Sequence, residues 1–290
     1  MKKIAILANR NNHYDNKIEE RADEALENLG YTVLPFHEKE ENVLANILNS
    51  EADTLIFYKA GIESGNIGIE EFKDFLKRFK GEKICLYWDK VYSGRQNFIH
   101  QIAPLTDLIF LTDGDFLNAH NYLNIYKMPP VTDVKKPKGK IKKKFQIPIV
   151  FPGQSYGDRG AFINQLKERY GDDFQQIFGV WDQDFTDLCA SAKVFVSPLY
   201  PQTDLYWSDR VYKVLGRGGF LIMPKLEGLT WELTEGEHLE FYRNPKELFE
   251  KIDYYLENEE ERDRIRKAGQ KYCLKHYTFE KSFKKMLKIL

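Results

Sequence analysis

Cysteine is scarce in this chain, and its three residues, Cys85, Cys189 and Cys273, stand far apart. An odd and scattered set supplies neither a disulfide framework nor the paired spacing of a zinc site. Buried thiols in a reducing cytoplasm are the expectation. Long apolar runs are lacking as well. The N-terminal run over 4–8 is too short for a signal peptide or a membrane span and reads as a first β-strand. Nor is there an excess of one charge. The net charge is −1 with 30% of residues charged, which argues against a strongly basic nucleic-acid binder and against an acidic disordered tail. Short-period repeats are absent. What remains is a chain of 290 residues, 14% of them aromatic, long enough for two modest domains with cores of their own.

Short apolar runs alternate with amphipathic helical stretches. Strands are expected over 4–8, 31–36, 54–58, 84–88 and 108–111. Between the first two lies a helix with Ile18, Ala22, Ala25, Leu26 and Leu29 on one face and Gly30 as its stop. Further helices are expected over 43–48 and 69–79. This alternation describes a doubly wound parallel sheet, in which ligands sit beyond the carboxyl ends of the strands. Arg10, His13, Lys59, Asp89 and Asp113 all follow strands and so belong to that edge. The run 135–144 holds seven lysines broken by Pro137 and Gly139 and reads as an exposed linker. After it the alternation restarts, with strands over 147–151, 174–178, 193–197 and 220–223. Helices are expected over 161–170, near 185–190 and over 246–257, 259–275 and 279–290.

The stretch from Ser197 to Met223 is the most informative. A buried strand leads into a loop with Pro198 and Pro201, then Trp207-Ser208-Asp209-Arg210. A helix carrying Val211, Val214 and Leu215 follows, ended by Gly218-Gly219 before the next strand. Ser208 or Asp209 is placed to cap this helix, and Arg210 adds a fork of donors suited to a phosphate. The glycine pair allows a tight turn and close approach to a ligand.

These residues resemble the donor-binding half of the group 1 glycosyltransferases, and most nearly their spore-maturation-protein-like branch. Ser208-Asp209-Arg210, Gly218-Gly219-Phe220-Leu221, Glu227-Gly228-Leu229, Glu240-Phe241-Tyr242 and Lys275-His276-Tyr277-Thr278-Phe279 carry the likeness. It covers most of residues 145–290. The resemblance implies a GT-B fold, two Rossmann-like doubly wound α/β domains facing across a cleft. It assigns 1–134 to an acceptor-binding domain, 135–144 to the linker, 145–275 to a nucleotide-sugar-binding domain, and 276–290 to a helix crossing back to the first domain. The loop Gly153–Arg159 is similar to the family's first loop of that second domain. Arg159 and Arg210 are then expected to hold the donor diphosphate, with Gly153, Ser155, Ser208, Asp209 and Gly218 shaping its seat. Two positions depart from the family: Lys213 stands where a ribose-binding Glu is usual, and Leu205 where the earlier Glu of the retaining pair is usual. Lys213 reads either as a solvated replacement or as a second cation at the donor.

A general base would come from the first domain, where His13, Asp15 and Asp89 follow strands. Asp113-Gly114-Asp115 has the form of a metal-binding D-x-D motif, but it also reads as a turn with Asp115 capping the next helix. The expected activity is metal-independent transfer of a sugar from a nucleoside-diphosphate-sugar donor to a hydroxyl-bearing acceptor, by a protein with no membrane span. Two rivals remain. One is a transferase acting on modified nucleic-acid bases, with the lysine run tracking the phosphates. The other is a non-catalytic nucleotide- or sugar-binding protein of the same fold.

Overall fold

The computed structural model describes every residue except 11–17, 59–65, 135–136, 156, 158 and 199–202 and the side chains of 93 and 94. The chain forms two compact units. Among the described residues one takes 1–10, 18–129 and 279–290, and the other 130–278.

In the first unit, strands β1 (Lys3–Ala8), β2 (Thr32–His37), β3 (Thr54–Tyr58), β4 (Glu82–Tyr87), β5 (Leu108–Leu111) and β6 (Ile125–Lys127) lie in the order β2-β1-β3-β4-β5-β6. Every pairing in it is parallel. The connecting helices are α1 (Ile18–Asn28), α2 (Val43–Asn49), α3 (Ile69–Arg78), α4 (Ser93–Ile102) and α5 (Gly114–Ala119). Alternate strand residues, Leu7, Phe57, Tyr87 and Leu111 among them, pack with Phe72 and Phe75 of α3 and Ile99 of α4. Residues of the opposite alternation, such as Ile4, Ile6 and Ile84, are buried too. A sheet covered on both faces explains why its strands read as unbroken apolar runs.

The second unit holds β7 (Ile149–Pro152), β8 (Phe174–Ile177), β9 (Val194–Val196), β10 (Leu221–Pro224) and β11 (Glu240–Tyr242), a parallel sheet of order β11-β10-β9-β7-β8. Its helices are α6 (Arg159–Tyr170), α7 (Asp182–Ser191), α8 (Arg210–Gly216), α9 (Glu227–Thr230), α10 (Pro245–Glu257) and α11 (Glu259–His276). The final helix α12 (Phe279–Met286) packs on α1 of the first unit. Phe279, Phe283 and Met286 make its buried face at helical spacing, and Lys281, Lys284 and Lys285 point to solvent.

Several elements were not legible beforehand. Strand β11 contains Glu240, which is buried and neutralised by Lys251, so its apolar signal is broken by a charge. Strand β6 has three residues, and α4 opens on the polar run Ser93-Gly94-Arg95-Gln96-Asn97. The boundary of the second unit also falls earlier than residue 145. The Thr132 N–H donates to the Tyr277 carbonyl at 2.6 Å, and Asp133 pairs with Arg217 at 2.6 Å. The lysine run is not a free linker where it is described. The Lys140 N–H donates to Asp187 at 2.8 Å, and Lys142 lies 2.8 Å from Asp184 and 2.7 Å from Asp187. The lysine heads are largely exposed, but the backbone is fastened to α7.

Candidate functional site

At the carboxyl ends of β7 and β8 the second unit encloses a pocket of about 390 Å³. That position follows from the parallel sheet, whose βα loops gather at one edge. Its floor is Pro152 and Gly153, and Arg159, Ser208, Asp209, Arg210 and Lys213 line it from α6 and α8. Ile177, Phe178, Val180, Trp181 and Phe185 form an apolar wall.

Arg210 is held from several directions. Its Nε donates to the Pro152 carbonyl at 2.7 Å, its Nη1 donates to the Ser197 hydroxyl at 3.3 Å, and its guanidinium lies 5.3 Å from the Phe151 ring centroid. The glycine at 153 makes this possible, because a Cβ there would stand 2.8 Å from Nη2 of Arg210. Arg159, the first residue of α6, is only 4% exposed and reaches the same pocket. A charged side chain so deeply placed is a costly feature, and such features concentrate at functional sites.

Asp209 and Lys213 lie one helical turn apart on α8, 2.7 Å from each other. Lys213 is therefore an ion-paired wall of the pocket and not the solvated residue that one sequence reading allowed. Burial disfavours both charges, but each outweighs it for the other: the Asp209 carboxyl is held below its usual range and the Lys213 ammonium above its own, with Asp133 adding to the second effect. Asp209 makes no side-chain cap, and the Ser208 hydroxyl accepts from the Arg210 N–H at 3.3 Å.

Six of the eight expected donor residues thus meet in one pocket. Ser155 and Gly218 do not line it. Gly218 sits at the other end of α8, where its φ of 77° ends the helix and its N–H donates to the Leu215 carbonyl at 2.9 Å. It lies five residues beyond Lys213, roughly 7.5 Å along the helix axis, so its role is the turn. The aromatic wall was missed. Phe178 and Trp181 follow β8 in a loop without a motif, although Gly179, with φ 79°, and the 47% exposure of Phe178 mark it once the fold is known.

In the first unit Asp89 follows β4, exposed and 3.7 Å from Arg95. His13, Asp15 and Lys59 lie outside the described residues. The D-x-D pair is occupied structurally. Asp113, not Asp115, caps α5, accepting from the N–H groups of Asp115 and Phe116, and Lys90 bridges the two carboxylates. Among the described residues no group of three or more His, Cys, Asp or Glu could hold a metal ion, and no helix is long and apolar enough to cross a membrane.

Residues 153–288 match the family model described as glycosyl transferase-like. This part of the chain is similar to a glycosyltransferase domain. The match stands at that level and not at the narrower spore-maturation-like branch. By sequence, no curated protein matches the chain. Among solved structures, Anabaena HepE in complex with UDP and glucose matches with a TM-score of 0.70 and 8% identity over 100% of each chain. An alpha-glucosyltransferase in complex with UDP and a 13-mer DNA matches at 0.69 and 12% identity, over 100% of this chain and 99% of that one. Sucrose-phosphate synthase of Thermosynechococcus elongatus matches at 0.68 and 12% identity, over 100% and 98%. The architecture of two parallel α/β units is therefore that of the GT-B glycosyltransferases.

Proposed function

We propose that the pocket of the second unit binds a nucleoside-diphosphate sugar, with UDP as its nucleotide, and that the chain transfers the sugar to a hydroxyl-bearing acceptor. The observation that carries this reading is the composition of the pocket. Its lining joins three cations, Arg159, Arg210 and Lys213, the last paired with Asp209, to the flat apolar surfaces of Phe178 and Trp181. A nucleoside diphosphate has this polarity, an anionic diphosphate joined to a flat base. The structural likeness to HepE and to an alpha-glucosyltransferase, each in complex with UDP, supports uridine as the base.

In this reading Arg210 and Arg159 stabilise the charge that develops on the departing diphosphate, so no metal ion is obligatory. Gly153 leaves room for the guanidinium of Arg210, which Pro152 and Ser197 hold, Ser208 accepts from the Arg210 N–H, Ser155 lies in the adjoining loop, and Lys213 is a further cation at the donor. The acceptor belongs to the first unit, with Asp89 the described candidate for the base if the reaction inverts configuration. Transfer to a nucleic-acid base is the weaker reading. The DNA-bound neighbour favours it, but Lys142 and Lys144 of the basic run are paired with Asp184 and Asp187 and are not free to track phosphates.

Thermal shift with UDP, GDP, ADP, CDP and dTDP, in EDTA and in Mg²⁺, tests the nucleotide. UDP is expected to raise Tm in both media, and release of UDP from UDP-sugars is expected on addition of hydroxylated acceptors. Absence of any nucleotide shift would remove the donor site. Stabilisation in Mg²⁺ alone would remove the metal-independent mechanism, and binding without turnover on any acceptor would make the protein a non-catalytic member of the fold.

A further inference from the structure

The donor pocket is backed by charged groups outside its own lining. Arg217 follows the last turn of α8, is 4% exposed, and stands behind two residues that do line the pocket, Phe185 and Lys213. Its guanidinium lies 5.2 Å from the Phe185 ring centroid, within reach of a cation–π contact. Its Nη1 donates to the Lys213 carbonyl at 3.3 Å and pairs with Asp133 Oδ1 at 2.6 Å. One side chain thus ties together α7, which carries Phe185, the end of α8, and the segment that enters the second unit.

That segment is pressed onto α8. A Cβ at Gly216 would stand 2.3 Å from the Thr132 hydroxyl, so only glycine lets the two approach. Thr132 is fixed in turn through its N–H, which donates to the Tyr277 carbonyl. Asp133 is therefore held where its carboxylate acts on two cations. Burial opposes its charge, but Arg217 and Lys213 outweigh that and hold its carboxyl below the usual range. A buried ion pair is a poor source of stability, because desolvating two charges offsets most of their attraction. Apolar residues of similar volume commonly hold such elements as well or better. What they do not supply is a flat cation against Phe185 and a carboxylate near Lys213.

We infer that Arg217 and Asp133 are positioning residues of the donor pocket: Arg217 sets the Phe185 ring and the stretch of α8 that carries Lys213, and Asp133 holds Arg217 to that task. The segment entering the second unit thereby belongs to the donor site, acting through other side chains and not by contact with the ligand. For the identity of that ligand, a nucleoside diphosphate, the inference rests on the function proposed above.

The test compares wild type, Arg217→Lys and the double variant Asp133→Leu with Arg217→Met by calorimetry with UDP in EDTA, each with its Tm. Arg217→Lys keeps a cation for Asp133 but loses the flat face on Phe185. Both variants are expected to keep Tm within about 4 °C of wild type and to bind UDP at least roughly fivefold more weakly. Arg169→Lys is the control. Arg169 is paired with Asp253 and lies 5.0 Å from the Phe249 ring centroid, at the far end of α6 from the pocket, and its variant is expected to bind UDP as wild type does. A second readout needs no nucleotide. With 4-fluorophenylalanine in place of Phe185, the ¹⁹F resonance is expected to shift or broaden on Arg217→Lys. UDP binding within about twofold of wild type in either pocket variant, or a loss as large in Arg169→Lys, would overturn the inference. So would an unchanged ¹⁹F resonance. If wild type bound no UDP, the nucleotide reading would fall, and the ¹⁹F comparison alone would decide whether Arg217 sets the pocket wall.

Discussion

Replacing Gly153 by alanine separates the donor pocket's geometry from its charge. The backbone at 153 is not left-handed, so alanine is allowed there. The added Cβ would meet Nη2 of Arg210 at 2.8 Å and Cζ of Phe151 at 3.0 Å. Of these, the end of the arginine is free to yield and the ring, buried in the core, is not. Arg210 must then loosen its bonds to Pro152 and Ser197, which now fix its direction. The fold should lose little, about 1–2 kcal/mol, since two partly exposed hydrogen bonds are traded for solvent. The ligand should lose more. A charge-assisted hydrogen bond to phosphate contributes about 1.5–3 kcal/mol, so UDP affinity should fall roughly tenfold to 150-fold. Titration calorimetry with UDP in EDTA reads this directly. Gly160→Ala is the control, because its Cβ would meet only Ser155 Oγ, at an ordinary 3.5 Å; its UDP affinity should match wild type. If Gly153→Ala bound UDP within threefold of wild type, the claim that Arg210 holds the phosphates would be refuted.

Two further outcomes follow from the same structure. Phe178→Ala should weaken UDP by about 1 kcal/mol, roughly fivefold, and leave inorganic pyrophosphate unaffected, because the ring meets the base and not the phosphates; equal losses for both ligands in calorimetry would contradict this. Asp187→Asn should lower Tm at pH 7 by an amount equivalent to about 1–2 kcal/mol, since it keeps an acceptor for the Lys140 N–H but replaces the carboxylate partner of Lys142 by a neutral amide. Burial opposes the charge of Asp187, but Lys142, the Lys140 N–H and Gln183 outweigh it and bring its pKa from 3.8 to about 2. A depressed carboxyl stabilises above its unfolded pKa and loses that stabilisation as pH falls through the folded one. The Tm gap should therefore close between about pH 4 and pH 2; a gap that widened in acid would contradict the pairing.

The amino-acid sequence by itself determined the layout of alternating strands and helices, because strand and helix periodicities are properties of near neighbours. It also determined the turn at Gly218-Gly219 and the place of Arg210 at the start of a helix after a buried strand. Apolar residues at helical spacing marked the last helix from Phe279 onward. The tertiary structure decided what those residues touch. Arg210 rests on Pro152, 58 positions away, because β9 lies beside β7 in the sheet, and no local pattern encodes strand order. The same distance in sequence hid Phe178 and Trp181 as a pocket wall, and it hid the fastening of the lysine run to α7. Lys213 shows the division within one residue. Its spacing from Asp209 was readable at once, but its role as a pocket wall depended on the fold that brings α8 against the floor at Gly153. Asn9 and Glu38 carried no motif at all, and only the parallel register of β1 and β2 brings these two distant polar residues side by side at one edge of the sheet.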